Sequence, residues 1–187
     1  MPAAAHDVLL EAAGRLFYAD GITATGVDTV VRTAGVTKPT LYAHFGSKSD
    51  LVAAVLQRRF DERRTELEAW LEPVPAAGHP LAVLEWLQHF YADRGDRGCG
   101  FLNAAAELTE RDPGARAVVA AEKAWLREVL VRGCRAWGSR TPEVVGSQVL
   151  LLVDGVAGRA VVGGRAAGHE AALEARQAAQ VLLDASR

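Results

Sequence analysis

Apolar residues recur along this chain three and four positions apart, and stretches that alternate apolar with polar residues are almost absent. A spacing of i, i+3 and i+4 places side chains on one face of an α-helix, whereas a half-buried strand needs a period of two. The pattern therefore predicts an all-α protein without a β-sheet. We expect about nine helices.

Four of these helices are expected in the first 70 residues. The pattern predicts helices over residues 5–20 and 27–34, and each is followed by a glycine, Gly21 or Gly35, that can adopt the left-handed conformation of a helix end. The apolar stripe of the first helix consists of Val8, Leu9, Ala12, Ala13, Leu16 and Phe17.

Capping residues mark the next two helices. Thr37 can cap a short third helix that ends near residues 45–46, with Pro39 in its first turn, where no intrahelical hydrogen bond is lost. Ser47 followed by Asp50 predicts the start of a long fourth helix that continues towards Trp70.

Prolines and glycines divide the remainder of the chain. Residues 72–80 contain three prolines and a glycine, which forbid a continuous helix. Five more helices are predicted over residues 81–94, 101–111, 114–137, 143–162 and 169–185, with separators at 95–98, 112–113, 138–142 and 163–164. We place the functional boundary inside the fourth helix, which gives a head of residues 1–50 and a body of residues 51–187.

Composition narrows the possible classes of protein. Half of the 187 residues are apolar and 24% are charged, as in ordinary globular proteins. The net charge is −2, and residues 1–64 carry 8 Lys and Arg against 7 Asp and Glu, so a nucleic-acid surface has to be local. The two cysteines, Cys99 and Cys134, have no metal-ligand spacing and favour a reduced, intracellular protein.

The most apolar stretch, residues 144–164, contains Gln148, Asp154 and Arg159. Three polar groups within a membrane's thickness predict a buried helix rather than a membrane span. The start of the chain lacks the basic and apolar regions of a secretory signal. We therefore expect a cytoplasmic protein without a membrane partner.

The second and third predicted helices are joined by only three residues, Gly35 to Thr37, which is typical of a helix-turn-helix. Leu41 and Phe45, four residues apart, would face the core. Five side chains would then project outward as candidate DNA contacts: Lys38, Pro39, Thr40, Tyr42 and His44. The alternative is a surface helix whose polar side chains are merely solvated.

These residue types can contact both the base edges and the phosphate backbone of DNA. Lys38 can donate to guanine or to a phosphate, and Thr40 can bond a base edge or touch a thymine methyl. Pro39 offers an apolar contact. Tyr42, His44 and Lys48 can donate to phosphates.

Residues 35–48, Gly-Val-Thr-Lys-Pro-Thr-Leu-Tyr-Ala-His-Phe-Gly-Ser-Lys, resemble the amino-terminal domain of TetR-family transcriptional regulators. The resemblance covers about residues 5–56. Besides residues 35–48, it is carried by residues 7–17, 21–27 and 51–55. Gly26 departs from it, because the family usually has Ser or Thr there as a helix cap, and the lost bond costs a few tenths of a kcal/mol.

The resemblance implies a homodimer with a homeodomain-like three-helix head and a larger helical body for ligand binding and dimerisation. Its partners would be a double-stranded DNA operator, an unidentified small-molecule effector and a second copy bound through residues 143–162 and 169–185. The predicted DNA-binding set also includes Thr25 and Thr37. Residues 97–107 are similar to a Gly-Cys-x-x-x-Asn-x-x-x-Glu pattern of some family branches, which names no ligand.

A ligand pocket would be mainly apolar with a few polar groups. The candidate lining residues in the body are Trp86, His89, Phe90, Phe101, Asn103, Trp125 and Asp154. The ordinary alternative for the aromatic residues is core packing, and for Asn103 and Asp154 it is a hydrogen bond to nearby backbone.

Catalytic motifs are absent from the sequence, which has no nucleophile elbow, zinc-protease motif or phosphate-binding loop, and its five histidines are scattered. We expect no enzyme activity, no cofactor and no metal site. The predicted function is a one-component transcriptional repressor released from its operator by a small-molecule inducer. The alternative is a ligand-binding helical dimer, a carrier or sequestering protein, that does not read DNA.

Overall fold

The computed structural model describes residues 2–95 and 97–187. This part of the chain contains α-helices, one 3-10 turn (Ala76–Gly78) and no strand, which confirms the predicted all-α fold class. Asp96, in the predicted separator 95–98, lies outside the described residues. The helices are α1 (Pro2–Asp20), α2 (Val27–Ala34), α3 (Lys38–His44), α4 (Lys48–Leu71), α5 (His79–Asp93), α6 (Gly100–Glu107), α7 (Pro113–Trp137) and α8 (Pro142–Ala185).

The chain folds into two compact units. Unit 1 consists of Met1–Glu62 and Gly100–Glu122, and unit 2 consists of Arg63–Cys99 and Lys123–Arg187. This division describes packing. The functional boundary at residue 50 stays a prediction.

The core of unit 1 corrects one position of the predicted α1 stripe. Leu9, Ala12, Ala13 and Phe17 are buried, but Val8 is 39% exposed and Leu10 is buried instead. At 100° per residue the stripe is centred between Leu9 and Ala13, and Leu10 lies about 80° from that centre while Val8 lies about 120° away. Leu10 therefore reaches the core and Val8 does not.

Capping residues define the helix ends near the head as predicted. Gly35 ends α2 with φ of +68°, a left-handed conformation that favours glycine. Ser47 caps α4 by accepting from the backbone N–H of Asp50 at 3.1 Å, and its hydroxyl donates to the Asp50 carboxylate at 2.7 Å. Gly26 precedes α2 without a side-chain cap bond.

Helix α6 is shorter than predicted, because it ends at Glu107 rather than at residue 111. Beyond it, the Asp112 carboxylate accepts from both the backbone N–H and the hydroxyl of Thr109, each at 3.1 Å. This local turn replaces the helical hydrogen bonds of the segment, as Asp and Thr side chains often do at helix ends.

Unit 2 is built on the packing of α5 against α8. Its fully buried side chains include Leu84, Tyr91, Leu130, Val149 and Leu183. Two hydrogen bonds to the end of α5 add to this packing. The Arg165 guanidinium donates to the Asp93 carbonyl at 2.8 Å, and the ring of His169 lies 3.1 Å from the Gln88 carbonyl.

Helix α8 is interrupted once, at Gly164, where φ is +72° and ψ is −169°. The predicted helices over residues 143–162 and 169–185 are therefore present as two segments that meet at this residue. Counted in this way, the described residues contain nine helical segments. The predicted break at 163–164 is confirmed, and residues 165–168 are helical rather than a loop.

Among the described residues, α8 is long and apolar enough to cross a membrane by length and composition alone, with a mean hydropathy of 1.5 in its most apolar window. The core helix of a soluble protein passes the same test. Because α8 buries Val149, Val153 and Ala179 in the core of unit 2, this observation is weak support for a membrane span.

Candidate nucleic-acid interface

The turn between α2 and α3 has the backbone geometry that a helix-turn-helix needs. After Gly35, the N–H of Val36 donates to the Val31 carbonyl at 3.0 Å and closes α2. Thr37 then caps α3, since its hydroxyl accepts from the N–H of Thr40 at 3.3 Å and lies 2.8 Å from the Thr40 hydroxyl. Pro39 lies in the first turn of α3, as predicted.

Helix α3 has one buried and one exposed face. Leu41 and Phe45 are buried in unit 1, whereas Lys38, Pro39 and Tyr42 are exposed, Tyr42 by 48%. Thr40 and His44 are half-buried. The predicted orientation of α3 is therefore confirmed for its core side chains, and the role of its outer face in DNA binding stays a prediction.

Lys38 does not point freely into solvent. Its ammonium lies 2.8 Å from the Asp28 carboxylate of α2, and both side chains are largely exposed. The hydrogen bond to Asp28 and the negative charge of Asp28 raise the pKa of Lys38 above its ordinary value. A DNA phosphate or base has to compete with Asp28 for this cation.

The polar groups of two predicted DNA-binding residues make hydrogen bonds within unit 1. Thr25 is buried, and its hydroxyl donates to the Gly21 carbonyl at 2.7 Å. The Lys48 ammonium donates to the Ile22 carbonyl at 2.6 Å in a partly buried position. Both bonds are made to the turn between α1 and α2, and DNA contacts by Thr25 and Lys48 stay predictions.

His44 lies in a small aromatic group rather than alone on the surface. The His6 ring stacks on Phe45 with centroids 5.0 Å apart, and it meets the His44 ring edge-on at 5.9 Å. Helix α1 therefore contributes a second imidazole beside α3. His6 escaped the sequence analysis because only the fold brings it next to residue 44.

The candidate pocket residues divide between the two units. In unit 2, Trp86 stacks on Phe90 with centroids 5.5 Å apart, and the ring of the exposed His89 lies 5.1 Å from that of Trp70. Asp154 accepts from the Lys123 ammonium at 2.6 Å in a half-buried ion pair. Trp125 packs at the edge of the unit 2 core.

The other two candidates, Phe101 and Asn103, lie in unit 1. Phe101 is buried and meets Phe60 edge-on with centroids 6.5 Å apart, as a core residue does. Asn103 lines a small, partly open cleft between α1, α4 and α6. Tyr18, Arg59 and Glu107 are among its other lining residues, and the Arg59 guanidinium lies 4.5 Å from the centre of the Tyr18 ring.

Two carboxylates near the α6–α7 corner contact the head, and the sequence analysis missed their roles. Glu107 accepts from the backbone N–H of Thr23 at 2.7 Å. The pKa of Asp112 is lowered by hydrogen bonds from the Thr109 backbone and then from the Ser49 side chain at the start of α4. The Gly-Cys-x-x-x-Asn-x-x-x-Glu pattern ends at Glu107, and it was the only sequence signal for this contact.

Within the described residues, no group of three or more His, Cys, Asp or Glu side chains is placed to hold a metal ion. Cys99 and Cys134 are both buried and unpaired with each other. Burial raises the pKa of the Cys134 thiol to about 11, so it is not ionised at neutral pH. The Cys99 sulfur lies 3.6 Å from the Arg63 guanidinium.

Known proteins match part of this chain in sequence. Residues 9–55 match the family described as bacterial regulatory proteins, tetR family. The transcriptional activator FasR of Mycolicibacterium smegmatis is 51% identical over 53 residues, which are 28% of this chain and 24% of that protein. The transcriptional repressor ComR of Escherichia coli is 40% identical over 66 residues, 35% of this chain and 31% of that protein.

These curated relatives are therefore matched over only about a quarter to a third of their length. A solved structure extends the similarity to the whole chain. A TetR-family transcriptional regulator from Streptomyces coelicolor has a TM-score of 0.88 and 30% sequence identity, over 99% of this chain and 97% of that one. With the exposed α3 and the helix-turn-helix geometry, this full-length match shows that the chain belongs to the TetR family of bacterial transcriptional regulators.

Proposed function

We propose that this TetR-family regulator is a repressor that binds a pseudo-palindromic operator as a homodimer and is released by a small-molecule inducer. The observation that carries the proposal is the exposed face of α3, held on a capped helix-turn-helix by the buried Leu41 and Phe45. A seven-residue helix with Lys38, Pro39 and Tyr42 at its surface suits entry into a DNA major groove.

Operator reading is assigned to the exposed residues Lys38, Pro39 and Tyr42 and to the half-buried residues Thr40 and His44. Thr25, Thr37 and Lys48 have polar groups bonded within unit 1, as do Thr40 to Thr37 and Lys38 to Asp28, so a polar DNA contact by any of these residues requires the bond to exchange. The near balance of charge in residues 1–64 limits phosphate affinity per head. Strong binding then depends on two heads acting together about one turn of duplex, ~34 Å, apart.

A second copy of the chain fits the exposed apolar side chains of α8. Leu151, Val162 and Val181 are 71%, 89% and 68% exposed on the chain by itself. The glycines Gly155 and Gly158 on the same helix have open space around them, which permits close approach of another helix. These features support dimerisation through residues 143–162 and 169–185.

The inducer is assigned to unit 2. The Trp86–Phe90 stack provides an apolar contact surface, and the Lys123–Asp154 pair provides half-buried charges for a polar group. Helix α4 contributes residues to both units. A shift of this helix on effector binding would therefore be transmitted to the head. A ligand releases DNA only to the extent that it binds the released conformation more tightly.

The sign of regulation is part of the proposal, because one relative is named an activator and another a repressor. Repression needs only a dimer that occupies promoter DNA. Activation needs a further surface that recruits the transcription machinery. We assign repression on this ground, and we place the protein in the cytoplasm, where a bacterial operator lies.

The test is selection of genomic fragments by the purified full-length protein. We expect enriched fragments to share an inverted repeat and a reporter driven from such a fragment to rise when the protein is removed. Fragments without any shared repeat would contradict operator binding and favour the carrier alternative. A reporter that falls on removal would instead show activation.

A further inference from the structure

The turn that leads from α1 into the helix-turn-helix is held by a residue far away in the sequence. Glu107, the last residue of α6, accepts from the backbone N–H of Thr23 at 2.7 Å, across 84 positions of the chain. Thr23 itself is exposed. A charged acceptor at this distance makes a stronger hydrogen bond than a neutral one.

The same peptide unit is held from its other side. The N–H of Thr23 and the carbonyl of Ile22 belong to one peptide and point in opposite directions. The carbonyl accepts from the Lys48 ammonium at 2.6 Å, while the N–H donates to Glu107. A cation at the carbonyl and an anion at the N–H both stabilise the peptide dipole, so this orientation of the turn is favoured electrostatically.

The turn also fits closely against the carboxylate. Gly21 has φ of +95°, and a Cβ at this position would lie 3.1 Å from both carboxylate oxygens of Glu107. The Thr25 hydroxyl closes the turn by donating to the Gly21 carbonyl at 2.7 Å. The turn therefore has little freedom to shift while Glu107 remains in place.

The position of this turn determines where the recognition helix lies. Helix α2 begins at Val27, four residues after Thr23, and packs against α1 and α3. A rotation of the 22–23 peptide moves the start of α2. Since only Gly35 to Thr37 separate α2 from α3, the recognition helix moves with it.

We propose that Glu107 is a positioning residue for DNA recognition: the end of α6 sets the orientation of the helix-turn-helix through the Ile22–Thr23 peptide, opposite Lys48. Glu107 does not touch DNA in this account. It acts on α3 through the turn and α2. The inference rests on the proposed operator binding.

The test compares three variants of the full-length protein. Glu107→Ala removes the acceptor, and Glu107→Gln keeps an amide oxygen of similar reach without the charge. Glu110→Ala is the matched control, because Glu110 is exposed in the same corner and its loss changes the net charge equally. The DNA probes are the inverted-repeat duplex enriched by the wild-type protein and a scrambled duplex of the same length.

We expect Glu107→Ala to bind the inverted repeat about tenfold more weakly than Glu110→Ala, and Glu107→Gln to stay within about threefold of wild type. Binding to the scrambled duplex should be equal for Glu107→Ala and Glu110→Ala. General destabilisation would lower the affinities for the repeat and for the scrambled duplex together. The ratio of these two affinities therefore reports the positioning effect of Glu107 alone. Hydrogen exchange of the Thr23 amide should be at least tenfold faster in Glu107→Ala.

Three results would overturn the proposal: equal affinity of Glu107→Ala and Glu110→Ala for the repeat, equal losses for Glu107→Ala and Glu107→Gln, or unchanged exchange at Thr23. Failure of the proposed function gives a different result, because the wild-type protein itself would then enrich no inverted repeat. In that case DNA positioning falls together with operator binding, whatever the exchange rate of Thr23.

Discussion

A single neighbour, Asp28, changes the charge that Lys38 presents at the surface of α3. The pairing of Lys38 with Asp28 on α2 holds the ammonium beside a carboxylate, which offsets the positive charge that DNA would meet. An exposed ion pair of this kind contributes little to folding stability. Its main consequence is for DNA binding, where Asp28 weakens contacts that do not depend on sequence.

Asp28→Asn is therefore expected to strengthen binding to unrelated duplex DNA by about threefold and to steepen the dependence of log K on log salt by about one, as one further cation engages phosphate. Fluorescence anisotropy at several salt concentrations measures both quantities. The control is Asp20→Asn, an exposed site in unit 1 with the same change of charge. Equal behaviour of the two variants would show that Asp28 has no specific effect on Lys38.

Individual residues also show which features of the site could be predicted from the sequence. Leu41 and Phe45 are apolar and four residues apart, so residue type and helical spacing together predict that they face inward, and Phe45 does so as the extended cap residue after α3. The partners of Lys48 and Glu107 lie 26 and 84 residues away, and only the tertiary fold brings them together. Residue type marked Lys48 as a phosphate donor; in the structure its ammonium donates to the Ile22 carbonyl, and a phosphate contact by Lys48 stays a prediction.

At the scale of elements, caps and glycines in the sequence marked most helix boundaries, and the largest misses were the end of α6 and the start of the second segment of α8. The caps Thr37 and Ser47 were readable because capping needs only neighbouring residues. The end of α6 was predicted four residues late, because the Thr109–Asp112 turn competes with helix in a segment whose residue types also suit helix. The break in α8 was readable because two glycines adjoin there.

Gly164→Ala is expected to destabilise the protein by about 1–3 kcal/mol, because its φ of +72° with ψ of −169° lies in a region that residues with a Cβ avoid. The urea midpoint at fixed protein concentration measures the effect. Gly14→Ala is the matched control. Gly14 is helical, its Cβ would make an ordinary contact at 3.6 Å with Val55, and we expect about 0.5–1 kcal/mol of added stability. An unchanged midpoint in Gly164→Ala would contradict the strained geometry.

At the scale of the whole molecule, the chain is a member of the TetR family of bacterial transcriptional regulators. The head was recognisable from sequence because its short turns and caps fix residue types at fixed spacing. The body was not, because many apolar sequences build the same helical packing. Sequence alone placed the pocket candidates Trp86 and Asn103 together, and the structure assigns them to different units.

The apolar side chains of α8 lead to a prediction about assembly. Substituting both Leu151 and Val181 by Glu places charges where the proposed second copy packs, so we expect a monomer in sedimentation analysis. The wild-type protein should sediment at twice the 19.9 kDa chain mass. Val8→Glu, a single substitution of the same kind at an exposed position of α1, should leave the mass unchanged. A wild-type monomer, or a dimer that survives the double substitution, would contradict this interface.

The central claim is that the outer face of α3 reads DNA, and Tyr42→Ala tests it most directly. Tyr42 is 48% exposed and is not among the buried core residues, so its loss should leave the fold intact. On the inverted repeat enriched by the wild-type protein, we predict an affinity at least about tenfold lower for Tyr42→Ala and unchanged for Val8→Ala. Equal affinity of Tyr42→Ala and wild-type protein at two salt concentrations would contradict the account.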